Sequence, residues 1–196
     1  MASMDPTMSY YERNATRFAH ATVDARMDDA LAAFAALLPA GAHVLDWGCG
    51  SGRDSRALRE LGFEVTSVDG SPAMADAALQ ATGIVVRVED FAQLTEVATY
   101  DGIWACASLL HVQPDDLPSV LGRAARALKP GAVLYCSFKF GAYAGIRNGR
   151  WFTDLQEDKL SQLLAPSFDV ARMWVSADVR PERGDQRWLN CLATKR

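Results

Sequence analysis

The sequence predicts an α/β fold, a doubly wound, mostly parallel seven-stranded sheet that closes with a C-terminal antiparallel hairpin. From His43 onward, short apolar runs alternate with segments of helical periodicity, which is typical of a parallel sheet covered by helices on both faces. A glycine-rich turn, GCGSG, follows the first apolar run. Two strand-like runs end the chain with only a short polar segment between them, which indicates the hairpin.

Two helices are expected ahead of the first strand. The stretch YYERNATRFAH predicts a short helix over 10–20, and apolar residues at helical spacing predict a second over 23–38, which a proline and a glycine end. Residues 1–40 would then form a helical cap. For residues 1–7 two interpretations stay open: a leader added ahead of a natural start at Met8, or a disordered end.

Strands and helices then alternate along the chain. In order, the predicted elements are a strand over 43–47, a helix near 53–62, a strand over 64–69, a helix over 72–80, a strand over 84–89, a short helix after Phe91, a strand over 101–108 and a helix over 115–128. A KPG turn at 129–131 leads to a strand over 132–140, a helix near 154–164 and hairpin strands over 169–177 and 187–194. No linker rich in proline, glycine or serine divides the chain, so residues 1–196 are predicted to form a single domain.

The composition argues against several functions. The formal net charge of −4 is unlike that of proteins whose main task is binding a phosphate backbone, so no nucleic-acid partner is expected. The longest apolar stretch, LAAFAALL, is too short to cross a bilayer, and the start of the chain has no secretion signal. The four cysteines form no C-x-x-C pair. Reduced thiols and a cytoplasmic location are therefore expected.

The stretch VLDWGCGSGRD places three glycines, Gly48, Gly50 and Gly52, directly after the first strand. In an open α/β sheet, ligands bind at the carboxyl ends of the strands, where the strand order reverses. Glycine lets the backbone turn sharply and approach a ligand, and the following helix offers unpaired N–H groups to an anion. Because a tight turn without a ligand needs about one glycine, three glycines predict a site for a nucleotide-like ligand.

The spacing of these glycines decides against a dinucleotide. The fingerprint G-x-G-x-x-G would need a third glycine at the position that Arg53 occupies. The pattern present is D-x-G-x-G-x-G, which places Asp46 near any cationic part of the ligand. Asp69 ends the second strand 19 residues beyond Gly50, the usual place for an acid that binds two ribose hydroxyls.

Together the motifs resemble those of the class I S-adenosylmethionine-dependent methyltransferases, over nearly the whole chain. DWGCGSG is similar to their first motif, VDGSPAM to their second, VEDF to their adenine loop, YDGIWACASLLHV to their fourth motif and LKPGAVLYCSFK to their fifth-strand region. Within that group, GCGSGRDS, YYERNATRFA and RWF are most similar to small tellurite-resistance-type methyltransferases. The resemblance implies a Rossmann-like methyltransferase fold and S-adenosyl-L-methionine as the cofactor.

The resemblance also implies which residues contact the cofactor. The glycine loop would bind the methionine part, Asp69 the ribose and the adenine loop the base. The implied contacts are Asp46, Gly48, Cys49, Gly50, Gly52, Asp69, Gly70, Ser71, Met74, Asp90, Phe91 and Ala107. Tyr11 is expected to close over the methionine part, since an aromatic face attracts a sulfonium or ammonium cation.

The acceptor is expected to bind near the ends of the fourth and fifth strands. His111 is the candidate general base, with packing or capping of its loop as the alternative, and Tyr11 is a second candidate catalytic residue. Segment 139–153, rich in glycine and aromatic residues, is suited to forming a lid. Its arginines either bind an anionic acceptor or form a solvated face. The expected acceptor contacts are Ser108, His111, Lys139, Tyr143, Arg147 and Trp151, with Arg150 as an alternative to Arg147.

The expected activity is methyl transfer from S-adenosylmethionine to a small-molecule acceptor, which could be a thiol, a chalcogen oxyanion, or an oxygen or nitrogen of a metabolite. No metal site is predicted, because no H-x-x-x-H pair occurs and the histidines lie far apart in the sequence. Two alternatives stay open. One is a non-catalytic S-adenosylmethionine-binding partner protein, and the other is an RNA methyltransferase, which the negative net charge opposes.

Overall fold

The structure is a computed structural model that describes residues 5–180 and 183–196; residues 1–4, part of the expected leader or disordered end, lie outside it. The helices are α1 (Pro6–Thr22), α2 (Asp28–Ala35), α3 (Arg53–Glu60), α4 (Pro72–Thr82), α5 (Leu117–Ala127) and α6 (Glu157–Leu164). The strands are β1 (His43–Trp47), β2 (Glu64–Asp69), β3 (Arg87–Val88), β4 (Tyr100–Ala105), β5 (Leu128–Lys139), β6 (Ala144–Arg147), β7 (Arg150–Thr153), β8 (Phe168–Ala177) and β9 (Arg187–Lys195). Among the described residues, no helix combines the length and apolar character that crossing a bilayer requires.

Seven strands form one sheet in the order β3-β2-β1-β4-β5-β9-β8, and β6 pairs with β7 in a separate two-stranded sheet. The five strands from β3 to β5 in this order run parallel, whereas β9 is antiparallel to both of its neighbours. The predicted fold class is therefore confirmed, including the antiparallel hairpin at the end of the chain. Strands β1 and β2 also have the predicted bounds.

The strand order determines where a ligand can bind. From β1 the chain moves outward through β2 and β3, and it then returns to place β4 on the other side of β1. A crevice opens between the carboxyl ends of β1 and β4, because the connections leave these two strands in opposite directions. Since β1 ends at Trp47 and β4 at Ala105, the glycine loop lies at this crevice.

Side chains that alternate along β1 fill two hydrophobic cores, one on each face of the sheet. Leu45 and Trp47 belong to the core that α5 and α6 cover, whereas Val44 belongs to the core that includes Phe34 of α2. Phe34 is completely buried, with 5.3 Å between its ring centroid and that of Trp104. Burial of such a side chain contributes about 1.5–3 kcal/mol. Helix α2 thus belongs to the core of the sheet, whereas α1 packs against α4.

Several predicted elements differ from the structure. The KPG segment at 129–131, predicted as a turn, is part of β5, and the strand predicted to reach 108 ends at Ala105. The third strand, predicted over 84–89, is reduced to β3, because it lies at the edge of the sheet with a partner on one side only. Ile84 instead turns inward and is buried beside Gly52. The second helix, predicted from Val23, begins at Asp28, where two acidic residues complement the positive end of the helix dipole.

Segment 139–153, predicted as a loop suited to a lid, contains the hairpin β6–β7. Asn148 and Gly149 form its two-residue turn, with φ angles of 50° and 77°. Positive φ at both positions is the geometry of a type I′ turn, in which Asn-Gly is strongly favoured. Arg147 and Arg150 form the cross-strand pair that flanks the turn.

The two edges of the seven-stranded sheet differ in length. Strand β3 contributes two residues, whereas β8 contributes ten. Along β8 the pairing with β9 shifts register between Val170 and Arg172, so that Ala171 forms a bulge.

Candidate functional site

A cavity of about 270 Å³ lies at the crevice between β1 and β4. Helix α1 covers one side, and residues at the ends of β2, β5, β8 and β9 complete the walls. The predicted site residues that line it are Tyr11, Asp46, Gly48, Cys49, Gly50, Asp69, Gly70, Asp90, Phe91, Ala107, Ser108, His111 and Lys139. In the described part of the chain, no three potential metal-ligating side chains are grouped together.

Gly48 and Gly50 are glycines for different reasons. Gly48 has a φ of +81°, and a Cβ atom at this position would lie 2.4 Å from the Cβ atom of Ser108 in the loop after β4. Gly50 has a φ of +54°, and the space beside it is open apart from Phe18 at 3.9 Å. The first glycine lets two loops pack together, and the second leaves room for a ligand against the backbone.

Asp69 joins the end of β2 to the glycine loop. One of its carboxylate oxygens accepts a hydrogen bond from the Gly50 N–H and the other accepts one from the Ser71 N–H, both at 2.9 Å. Burial raises the pKa of Asp69, although these two hydrogen bonds favour the charged form. Each carboxylate oxygen retains a further lone pair. The side chain can therefore still accept hydrogen bonds from a bound diol.

Asp46 lies beneath the glycine loop in a buried polar network. Ser55 donates a hydrogen bond to Asp46 at 2.5 Å, and Ser67 donates one to Ser55 at 2.7 Å. Burial raises the pKa of Asp46 to about 8, and the negative charge of Asp54 adds to the effect. Because Asp46 lines the cavity, a cation bound there would favour its ionised form.

Arg53 stands where a dinucleotide-binding loop would have its third glycine. It forms a bidentate ion pair with Asp54, with both N–O distances at 2.7 Å, and Trp104 donates a further hydrogen bond to Asp54 at 2.9 Å. Burial alone would raise the pKa of Asp54, but the guanidinium group and these hydrogen bonds bring it below its usual value. A large side chain at this position departs from the dinucleotide fingerprint, in which the third glycine allows close packing of helix and strand.

Tyr11 and His111, the two candidate catalytic residues, are hydrogen-bonded to each other. The Nδ1 atom of His111 lies 2.6 Å from the carbonyl oxygen of Trp151, so it carries the proton and donates it. The Nε2 atom is then an acceptor, and the Tyr11 hydroxyl donates to it at 2.9 Å. Burial, with a contribution from Arg150, lowers the pKa of His111 to about 4. Burial also raises the pKa of Tyr11, so both side chains are neutral at pH 7.

Besides the bond between Tyr11 and His111, two further hydrogen bonds hold α1 over the cavity. Glu12 accepts a hydrogen bond from the hydroxyl of Ser71, at the start of α4, at 2.6 Å. Thr7 accepts one from the Trp151 N–H of β7 at 2.9 Å. Helix α1 therefore links the segment that follows Asp69 to the β6–β7 hairpin.

Basic and aromatic side chains line the part of the cavity near β5, β7 and β9. The Lys139 Nζ atom lies 4.8 Å from the ring centroid of Trp188 and 5.9 Å from that of Phe152. The Arg150 guanidinium carbon lies 5.1 Å from the Phe152 centroid, and its Nη1 atom donates to the Tyr11 hydroxyl at 3.3 Å. Of the two arginines considered from the sequence, the structure therefore places Arg150 in the cavity wall.

Three predicted cofactor contacts do not line the cavity, because they belong to the packing around α4. Ser71 caps this helix and accepts a hydrogen bond from the Met74 N–H at 3.2 Å. The Met74 side chain is buried between α4 and α1. Gly52 approaches α4 so closely that a Cβ atom would lie 2.8 Å from the hydroxyl of Thr82. These residues support the glycine loop from behind.

Three predicted acceptor contacts also lie outside the cavity lining. Arg147 forms an ion pair with Asp154 and stacks 4.4 Å over the ring of Tyr143, which is itself exposed. Trp151 stands between two residues of β7 that line the cavity, and it points away because side chains alternate along a strand. Its ring N–H donates to Thr153 at 3.0 Å.

Some lining residues were not singled out in the sequence. They include Thr7, Met8, Phe18, Glu89, Ser137, Phe152, Trp188 and Asn190. A signal for Phe152 was present, because the Asn-Gly turn implies a hairpin in which alternate residues of the second strand share a face. Trp188 and Asn190 had no local signal, since they reach the cavity through the pairing of β9 with β5.

A family profile described as methyltransferase domain matches residues 18–174. A ubiquinone biosynthesis O-methyltransferase of Xanthomonas axonopodis pv. citri (strain 306) is 38% identical over 112 residues, which are 53% of this chain and 45% of that protein. The chain thus spans about half the length of the curated relatives it matches.

Solved structures show the same fold. The Burkholderia thailandensis 1,6-didemethyltoxoflavin-N1-methyltransferase, with bound 1,6-didemethyltoxoflavin and S-adenosylhomocysteine, is similar at a TM-score of 0.79 and 26% identity, over 96% of this chain and 86% of that chain. TehB from Haemophilus influenzae is similar in fold at a TM-score of 0.72 and 17% identity, over 93% of this chain and 67% of that chain. With the family profile covering most of its length, the chain belongs to the methyltransferase domain family and has the Rossmann-like fold of S-adenosylmethionine-dependent methyltransferases.

Proposed function

We propose that this protein transfers the methyl group of S-adenosylmethionine to a small-molecule acceptor. One observation carries the proposal: a single cavity joins the glycine loop and Asp69 to Tyr11, His111 and Arg150. The first set of residues suits a nucleoside with a cationic tail, and the second suits a compact acceptor beside it. Membership in the methyltransferase domain family supports the same reaction.

The residues of the cavity fit S-adenosylmethionine. The open space beside Gly50 leaves room for the ligand against the backbone. The free lone pairs of Asp69 suit the ribose hydroxyls, and the buried carboxyl of Asp46 suits an ammonium or sulfonium group. Phe91, whose ring packs edge to face on Trp47 at 5.1 Å, offers a flat surface to adenine. The bound S-adenosylhomocysteine of the Burkholderia enzyme supports this assignment.

The side chains of the acceptor end position rather than deprotonate the acceptor. When bound, S-adenosylmethionine supplies a methyl group on a good leaving group, so orientation and exclusion of water can provide much of the acceleration. Both ring nitrogens of His111 are engaged, and it holds the Tyr11 hydroxyl in one orientation. The Tyr11 oxygen keeps a lone pair for the O–H or N–H of an acceptor.

The acceptor class rests on the size of the cavity and on the relatives. A cavity of about 270 Å³ that also holds the cofactor leaves room only for a small acceptor. The names of the relatives point to oxygen or ring-nitrogen acceptors. A thiol or chalcogen oxyanion acceptor, and with it the tellurite-resistance subtype, stays a prediction, as does the cytoplasmic location.

Calorimetry tests the cofactor assignment. S-adenosylhomocysteine is expected to bind at a single saturable site, whereas NAD is expected not to bind, because the loop lacks the dinucleotide spacing and Arg53 occupies the place of a glycine. Methyl-labelled S-adenosylmethionine and a panel of phenols, amines, thiols and chalcogen oxyanions then report the transfer.

Two outcomes would contradict the proposal in different ways. Saturable binding of NAD without binding of S-adenosylhomocysteine would exclude S-adenosylmethionine as the cofactor. Binding of S-adenosylhomocysteine without transfer to any member of the panel would favour the non-catalytic partner protein instead.

The pH dependence of stability is expected to report the burial of His111. Its pKa in the folded protein, about 4, lies below the ordinary value of 6.5. As pH falls from 6.5 towards 4, the unfolded chain takes up a proton that the folded chain does not, so stability is lost. Thermal unfolding at pH 7 and pH 5 is therefore expected to show a smaller loss in His111→Gln than in the unmodified protein.

His20→Gln is the matched control, because His20 is exposed on α1. An equal loss of stability in His111→Gln and in the unmodified protein would show that the pKa of His111 does not differ between the folded and the unfolded chain. The rate of methyl transfer is likewise expected to show no inflection from His111 between pH 6 and pH 9.

A further inference from the structure

Three positive charges line the cavity without an ion-pair partner in the described part of the chain: Arg150, Lys139 and Arg183. Arg183 is exposed, whereas Arg150 and Lys139 are partly buried. Within residues 5–180 and 183–196, the side-chain hydrogen bonds of these two go to the uncharged groups of Tyr11 and Gln186, and neither cation has an ion-pair partner. The neighbouring Arg147, by contrast, is paired with Asp154.

Arg150 is held by aromatic rings instead of acids. Its guanidinium carbon lies 4.4 Å from the ring centroid of Tyr10 and 5.1 Å from that of Phe152. Its hydrogen bond to Tyr11 is long, at 3.3 Å, and its Nε atom is buried without an acceptor among the described residues. A charged donor without an acceptor in a buried place costs free energy. A guanidinium group in this state favours a carboxylate or oxyanion, which it can bind through two parallel hydrogen bonds.

Lys139 faces the same space. The ring of Phe152 is a neighbour of both cations, 5.9 Å from the Lys139 Nζ atom and 5.1 Å from the Arg150 guanidinium carbon. The two cations therefore line the same part of the cavity. Three aromatic side chains line the cavity around this space: Tyr11, Phe152 and Trp188.

The charges in the cavity are distributed unequally. The acids on the side of the glycine loop are Asp46, Asp54, Asp69, Glu89 and Asp90, and the one basic residue that lines the cavity there, Arg53, is paired. Near Lys139, Asp178 is paired with Arg180 and accepts a hydrogen bond from the ring N–H of Trp188, while Arg183 has no acid partner among the described residues. Asp5 caps the start of α1. A cationic cofactor is thus favoured at one end and an anionic ligand at the other.

We infer that the acceptor is a small aromatic molecule with a negatively charged group, which Arg150 binds with Lys139 as the second cation. The inference rests on the proposed function and narrows its acceptor class. The aromatic lining favours a flat ring, and the unpaired cations favour a carboxylate or oxyanion on that ring.

The test compares two probes of similar shape and different charge, 3,4-dihydroxybenzoate and 3,4-dihydroxybenzamide, on protein saturated with S-adenosylhomocysteine. Calorimetry is expected to show binding of the benzoate about 10-fold tighter than binding of the benzamide, since a charge-assisted pair replaces a neutral contact. Arg150→Gln is expected to remove most of this preference and to leave the affinity for S-adenosylhomocysteine unchanged. Lys139→Gln is expected to remove a smaller part.

Arg126→Gln is the matched control, because it removes a positive charge from an exposed position on α5, outside the cavity. Equal affinity for the two probes, no binding of either at millimolar concentration, or a preference that survives in both Arg150→Gln and Lys139→Gln would overturn the inference. Failure of S-adenosylhomocysteine itself to bind would contradict the proposed function, and the inference with it.

Discussion

Replacing Gly48 with alanine is expected to abolish binding of S-adenosylhomocysteine and to lower the free energy of unfolding by about 2–5 kcal/mol. The backbone φ of +81° is unfavourable for alanine, and the new Cβ atom would lie 2.4 Å from that of Ser108. Ser108 cannot move aside easily, because its hydroxyl donates to the Trp47 carbonyl at 2.6 Å. Relief of the clash would push apart the two loops that form the crevice. Urea unfolding and calorimetry measure both effects.

Gly62→Ala separates the two causes. Gly62 has a similar φ of +87°, but a Cβ atom there would have no neighbour within 4 Å. The Gly62→Ala variant should therefore lose only the part of the free energy of unfolding that comes from the unfavourable backbone conformation, about 1–2 kcal/mol. Its affinity for S-adenosylhomocysteine should be unchanged. An equal loss of stability in both variants would show that the close approach to Ser108 does not contribute to the loss in Gly48→Ala.

Asp69→Ala is expected to weaken binding of S-adenosylhomocysteine by about 10- to 100-fold, which corresponds to about 1.4–2.8 kcal/mol. The variant loses the acceptor proposed for the ribose hydroxyls. It also leaves the N–H groups of Gly50 and Ser71 without their acceptor, so the glycine loop is no longer held to β2. The fold is expected to survive, because Asp69 belongs to neither of the two large hydrophobic cores.

Glu64→Ala is the matched control, since it removes an acid from the exposed start of the same strand. Calorimetry of both variants at one pH gives the comparison. A folded Asp69→Ala variant with an unchanged dissociation constant would assign the ribose to another acid of the cavity, such as Asp90.

The cofactor end of the site could be predicted because its information is local. In a parallel sheet the residue that follows each strand lies at the same edge, so finding β1 and β2 is enough to bring Gly48, Gly50 and Asp69 together. Both strands are apolar runs with turn residues at their ends, and their bounds were predicted correctly. The third strand was predicted too long, because an apolar run alone does not tell whether a strand lies at the edge of the sheet.

The acceptor end could not be predicted to the same degree, because tertiary contacts build it. Arg147 and Arg150 are equivalent in the sequence, and the ion pair with Asp154 is what holds Arg147 away from the cavity lining. Trp188 reaches the cavity only because β9 pairs antiparallel with β5. The bond between Tyr11 and His111 joins residues 100 positions apart, and neither neighbourhood in the sequence indicates it.

The two edges of the seven-stranded sheet bear on self-association. An open strand edge presents unpaired N–H and C=O groups to which a strand of another molecule can add, and aggregation often begins there. At one edge, β3 has only two residues, which is too short for stable pairing with a strand of another molecule. At the other edge, the bulge at Ala171 interrupts the regular spacing of β8 between Val170 and Arg172. A strand that paired there would also have to displace water from the charged side chain of Arg172. Each edge thus carries a feature that disfavours the addition of a strand.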